Sequence, residues 1–82
     1  MKLDISDNYI EKLPDNISKL PDLEELNISN NGLVRVTQLK HNLNLKKLLI
    51  RHNRLTTIEY FNQNRCLEYL DLSENELTTL NE

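Results

Sequence analysis

Residues 45–58 read Leu45-Lys46-Lys47-Leu48-Leu49-Ile50-Arg51-His52-Asn53-Arg54-Leu55-Thr56-Thr57-Ile58, and the spacing of their apolar residues around one asparagine decides the fold. The same fragment, L-x-x-L-x-L-x-x-N-x-L-x-x-L with Ile or Val allowed for Leu, recurs on both sides. Upstream it is Leu23, Leu26, Ile28, Asn31, Leu33 and Val36; downstream it is Leu67, Leu70, Leu72, Asn75, Leu77 and Leu80. A copy lacking its opening leucine starts the chain at Leu3, Ile5, Asn8, Ile10 and Leu13. The asparagines at 8, 31, 53 and 75 are thus spaced by 23, 22 and 22 residues. A fixed period of that size marks a solenoid, in which each unit buries its apolar side against its neighbours.

Within one unit, the two apolar residues of L-x-L point to the same side of an extended strand. That side faces the interior, and the residues between them face out. Stacked units then pair their strands in parallel. Because the pattern alternates, one face of the sheet is left in water, unlike the parallel sheets covered on both faces. Each strand ends at the asparagine, where a turn leaves backbone N–H and C=O groups needing partners. A short side chain carrying both donor and acceptor satisfies them, so Asn8, Asn31, Asn53 and Asn75 are expected to form a structural ladder. Asn42 and Asn64 are also 22 residues apart and predict a second, smaller stack on the return loop. The first return segment contains Pro14 and Pro21, the next two place Leu39 and Phe61 at equivalent positions, and short 3₁₀ or irregular turns are expected there. Gly32, the one glycine, is expected to relieve the turn after the second strand.

From Leu3 to Leu80 the chain resembles the leucine-rich-repeat proteins. Its later units look like their short 22-residue intracellular class, and its first unit like the 23-residue class with L-P-x-x-I. The resemblance implies an α/β solenoid: a curved, right-handed superhelix with a parallel sheet on its concave face and short 3₁₀ or irregular segments on its convex side. It also implies binding of another protein on the concave sheet, without catalysis.

The 82 residues fit one domain of about four repeats, 1–22, 23–44, 45–66 and 67–82. No dedicated cap is visible at either end. Three arrangements fit: a minimal unit whose ends are solvated by Lys2, Glu74, Glu76 and Glu82, a piece of a longer repeat protein, or end-to-end pairing of copies. The chain is therefore expected as a monomer or an end-to-end homodimer. With one cysteine there is no internal disulfide, and no secretion signal opens the chain, which predicts a cytoplasmic setting. A net charge of −3 argues against nucleic-acid binding, and no apolar run is long enough to span a membrane.

Spacing sorts the outward residues into rows across the sheet. Lys2, Glu25, Lys47 and Tyr69 form one, and Asp4, Asn27, Leu49 and Asp71 the central one. Ser6, Ser29, Arg51 and Ser73 come next, and Asp7, Asn30, His52 and Glu74 are outermost. Leu49 and Tyr69 stand out as apolar and aromatic anchors in a polar surround, the composition of a binding hot spot. Lys47, Arg51 and His52 frame them with positive charge, and Glu25, Asp71 and Glu74 flank these as acidic borders, with Asn27 in the central row. An acidic partner segment carrying an apolar anchor fits that pattern. An alternative reading is an assembly element that self-associates through its terminal repeats, or a small viral or pathogen repeat protein mimicking a host scaffold.

Nothing points to catalysis, a cofactor or a metal. His41 and His52 fall on a return loop and at a strand end, with no second Cys or paired carboxylate at ligand spacing. Cys66 is expected to be a half-buried packing residue without a base beside it. The sequons Asn16-Ile17-Ser18 and Asn27-Ile28-Ser29 are expected to be unused.

Overall fold

The L-x-L pairs form four strands of three residues each: β1 Lys2–Asp4, β2 Glu25–Asn27, β3 Lys47–Leu49 and β4 Tyr69–Asp71. The computed structural model describes residues 1–57 and 64–78; Ile58, Phe61, Leu80 and Glu82 of the repeat pattern lie outside them. The strands pair in parallel in the order β1-β2-β3-β4. Lys2, Glu25, Lys47 and Tyr69 are in register, as are Leu3, Leu26, Leu48 and Leu70. Pairing continues past the strand ends, with Ile5 N–H on the Asn27 carbonyl at 2.9 Å and Asp7 N–H on the Ser29 carbonyl at 3.0 Å.

Alternation does what the pattern requires. Leu26, Ile28, Leu48 and Ile50 are 0–1% exposed, together with Leu23, Leu33, Leu45 and Leu55. Burying each such side chain contributes about 1.5–3 kcal/mol. The same positions in the outer coils (Leu3, Ile5 and Ile10; Leu67, Leu70, Leu72 and Leu77) are only partly buried, because each packs against a coil on one side alone.

On the opposite side, among the described residues, two 3₁₀ segments, Asp15–Lys19 and Thr37–His41, drop Ile17 and Leu39 into the core. Pro14 precedes the first with φ −69°, the value its ring imposes, and its carbonyl accepts the Ile17 N–H at 3.2 Å. The second asparagine stack is present. Asn42 donates to the Ile17 carbonyl at 2.9 Å, and Asn64 donates to the carbonyls of Leu39 and Asn42 at 3.0 and 2.9 Å.

The turn after each strand is built in one way. The residue before the ladder asparagine is left-handed: Asp7 (φ 60°), Asn30 (54°), His52 (58°) and Glu74 (56°). These four residues therefore leave the pleat, and the outermost row expected of the sheet is a row of turn residues. Gly32 does not supply the positive φ; Asn30 does, and Tyr9 adds one more left-handed residue (55°) in the first coil. Non-glycine residues hold this conformation because the following asparagine clasps the turn. Asn53 Nδ2 donates to the carbonyls of Ile50 (3.2 Å) and Arg51 (3.4 Å), and Asn8, Asn31 and Asn75 repeat the arrangement.

The same side chains join the coils. Nδ2 of Asn31, Asn53 and Asn75 also donates to Ile5, Ile28 and Ile50 carbonyls one coil back. Their Oδ1 atoms accept from that coil too: Asn31 from Asn8 and Ile10 N–H, Asn53 from Leu33 N–H, Asn75 from Leu55 N–H. Asn53 is buried, Asn31 and Asn75 are half-buried, and Asn8 is exposed.

Candidate functional site

The free face of the sheet carries Asp4, Asn27, Leu49 and Asp71 side by side, one per strand. Three of them serve the backbone. Asp4 Oδ1 accepts from Ser6 N–H (3.0 Å) and Ser6 hydroxyl (2.6 Å), and Asp71 Oδ1 does the same with Ser73. Asn27 Oδ1 accepts from Ser29 N–H at 3.0 Å. The hydroxyl bond, then the backbone bond, holds the Asp4 and Asp71 carboxyls below the ordinary aspartate range. The motif is Asp/Asn-x-Ser, two residues apart, at the end of β1, β2 and β4. At the end of β3 it is replaced by Leu49 and Arg51.

Leu49 is half-buried rather than fully exposed, forming one wall of a shallow depression of about 280 Å³ shared with Lys2, Asp4, Glu25, Asn27 and Lys47. Tyr69 stands on its other side, on β4, with 55% of its surface exposed. Lys47 Nζ lies 5.6 Å from the centre of the Tyr69 ring, within cation–π range. Lys2 pairs with Glu25 across β1 and β2 at 3.4 Å. Leu49, Tyr69, Lys47, Asn27, Glu25 and Asp71 thus share one surface.

Arg51 and His52 sit differently from the sequence expectation. Arg51 Nε donates to Glu74 Oε2 at 3.0 Å, so its charge is already paired; this bond, with the nearby Glu74 and Asp71 charges, raises the guanidinium pKa further. Of the three basic residues of the expected stripe, Arg51 is thus ion-paired with Glu74. His52, in its left-handed turn, lines a second hollow of about 420 Å³ with Asp7, Tyr9, Glu11, Asn30 and Gly32. Sequence reading missed Glu74 as the partner of Arg51. It also missed the Asp/Asn-x-Ser tether, although its recurrence at three strand ends and absence at the fourth are written in the chain. Cys66 is exposed, not half-buried.

Among the described residues no three His, Cys, Asp or Glu side chains gather as a metal site, and no helix is long and apolar enough to cross a membrane.

Comparison with known proteins agrees with this geometry. The leucine-rich-repeat family model matches residues 1–55, and a second leucine-rich-repeat model matches 63–80. No curated protein matches the chain. Among solved structures it is similar to an internalin of Listeria monocytogenes, at 27% identity and a TM-score of 0.85 over 96% of this chain and 27% of that one. It is also similar to a Leptospira interrogans leucine-rich-repeat protein, at 32% identity and a TM-score of 0.81, over 94% of this chain and 20% of that one. The chain thus spans about a quarter of the first and a fifth of the second. With its repeat, its coil geometry and its structural likeness in agreement, the chain belongs to the leucine-rich-repeat family.

Proposed function

We propose that this chain is a protein-interaction module that holds an acidic segment of a partner protein on its concave sheet. The family is a protein-interaction scaffold, and the finer reading rests on the interruption of the tether at β3. An apolar residue of the partner seats in the depression beside Leu49, its other side against Tyr69. A partner carboxylate meets Lys47, which is not ion-paired among the described residues. An extended ligand running along β3 presents alternate side chains about 6.6 Å apart, the repeat that separates Lys47 from Leu49. The favoured ligand pattern is therefore an acidic residue two positions from an apolar one. Arg51 contributes only if Glu74 releases it.

The test is selection from a peptide display library on wild type and on Leu49→Asp in parallel. Wild type should enrich acidic-x-apolar peptides, and the variant should bind them at least about thirtyfold more weakly, the effect of losing a hot-spot residue. Equal enrichment by both proteins, or none by wild type, would remove the reading.

The half-buried leucines of the outer coils support a second reading, pairing of this chain with a further coil or another copy end to end. Light scattering across a concentration series tests the pairing of copies: a discrete dimer supports it, and a monomer at all concentrations excludes it.

A further inference from the structure

We propose that Asn31-Gly32 is a spontaneous deamidation site, held unreactive by docking of the first coil, whose reaction makes the loss of that coil permanent. Gly32 is the only glycine in the chain, so Asn31 is the one asparagine followed by a backbone nitrogen with no side chain beside it. In the reaction the Gly32 nitrogen attacks Asn31 Cγ. A C–N bond closes a five-membered succinimide, the Cγ–Nδ2 bond breaks, and ammonia leaves with the proton from Gly32. Water then opens the ring to aspartate or isoaspartate.

The folded chain occupies both reactants. Gly32 N–H donates to the Ile10 carbonyl at 2.9 Å. The Asn31 amide is fixed by donations to the carbonyls of Ile5 (3.1 Å), Ile28 (3.0 Å) and Ser29 (3.2 Å), and it accepts from Asn8 N–H (3.0 Å) and Ile10 N–H (2.9 Å). Ile5, Asn8 and Ile10 all belong to the first coil. Undocking that coil therefore frees the nucleophile and removes most of what immobilises the amide. Within this chain the first coil packs against the second, and part of a solenoid opens at lower free energy than the whole domain. Its side chains Leu3, Ile5 and Ile10 are only partly buried, in line with such opening.

The product cannot restore the joint. A carboxylate has no hydrogen to donate, so an acidic residue 31 sets an acceptor against three carbonyl oxygens that the amide had satisfied. Isoaspartate also lengthens the backbone by one carbon inside the ladder turn. Chemical change of the opened state then drains the folded population irreversibly. Asn8, Asn53 and Asn75 make the same turn but precede Tyr9, Arg54 and Glu76, so they act as internal controls.

Peptide mass spectrometry on the chain incubated at mildly alkaline pH, across a urea series, tests this. In full denaturant Asn31 should be modified faster than any other asparagine, and in buffer its rate should fall by roughly tenfold or more, the factor set by coil opening. The rate should begin to rise below the global unfolding transition, and Leu13→Ala, which hollows the first coil, should raise it in buffer. Gly32→Ala should stay unmodified. Equal rates in buffer and denaturant would overturn the proposal. So would a rate that tracks only global unfolding, or a modified chain that regains an unchanged midpoint.

Discussion

Replacing Asn53 with alanine measures what the ladder holds together. The side chain is buried and makes four bonds: Oδ1 accepts the Leu33 N–H, and Nδ2 reaches the carbonyls of Ile28, Ile50 and Arg51. The carbonyls keep other donors after the change: Asn31 for Ile28, Asn75 for Ile50 and the Asn30 N–H for Arg51. Leu33 N–H has no second acceptor among the described residues, and a buried orphan donor costs about 1–3 kcal/mol. Weakening the three carbonyls adds roughly 0.5 kcal/mol each, the low end for a net hydrogen bond. The total is about 2.5–4.5 kcal/mol, against about 4–12 kcal/mol for a domain of this length. Asn8→Ala is the control. Asn8 is exposed, its Oδ1 accepts nothing among the described residues, and Ile5 O keeps the Asn31 donor, so its loss should cost about 1 kcal/mol or less. Urea unfolding followed by circular dichroism should separate the two midpoints by roughly 1–2 M at ordinary slopes. Asn53→Asp resolves the two halves of the amide: it keeps an acceptor for Leu33 but turns oxygen toward the Ile28 and Ile50 carbonyls, and should cost at least as much. If Asn53→Ala and Asn8→Ala shift the midpoint equally, the ladder does not couple the coils and the reasoning fails.

Gly32→Ala should stabilise by about 0.4–1 kcal/mol, because its backbone is not left-handed and a Cβ would meet Glu11 Cγ at 3.7 Å and Ile10 O at 3.8 Å, ordinary contacts; a fall in melting temperature would contradict this. Leu48→Ala should cost about 2–5 kcal/mol and Leu70→Ala, in the same row but half-buried, clearly less, as read from urea midpoints; the reverse order would contradict the stacking gradient. Asp4 and Asp71 have folded pKa values below the unfolded value of about 3.9. Their tethers are therefore fully stabilising above that pH and lose strength as pH falls through the lower folded values. Stability measured from pH 6 down to about pH 3 should fall less steeply in an Asp4→Asn/Asp71→Asn variant, and parallel curves would show that the tethers carry none of the slope.

The register, the inward leucines and the inner rows of the free face were legible because each follows from one period and the geometry of a strand; the outermost row was not, because its residues turn left-handed. The 3₁₀ segments and the Asn42/Asn64 stack were legible for the same reason: one residue type recurs where a return loop must close. What resisted reading was local and non-periodic. Glycine is the default residue for positive φ, yet the turn at Asn30 takes it because Asn31 clasps the backbone from the side. Arg51 reads as a free positive charge until the left-handed turn at Glu74 brings a carboxylate within 3.0 Å of it. Cys66 directly precedes the first leucine of the last unit but is exposed, because Leu67 fills the inward position.

A periodic chain satisfies its fold by repetition, so a position that abandons the repeat at some cost to the fold is where another demand is acting. At the end of β3 the cost is specific. The tether made by Asp4, Asn27 and Asp71 is missing, and Leu49 is left partly in water on a face that, Tyr69 apart, is polar. Restoring the pattern with Leu49→Asn/Arg51→Ser separates fold from function. The new tether contributes about 0.5–1.5 kcal/mol, one net hydrogen bond, and losing a half-buried leucine gives back about 1 kcal/mol. Stability should therefore stay within about 1 kcal/mol of wild type while binding of acidic-x-apolar peptides disappears. A variant that keeps wild-type binding would place the partner elsewhere on the solenoid. One that unfolds would show that Leu49 and Arg51 serve the fold after all, and that the break in the pattern says nothing about a partner.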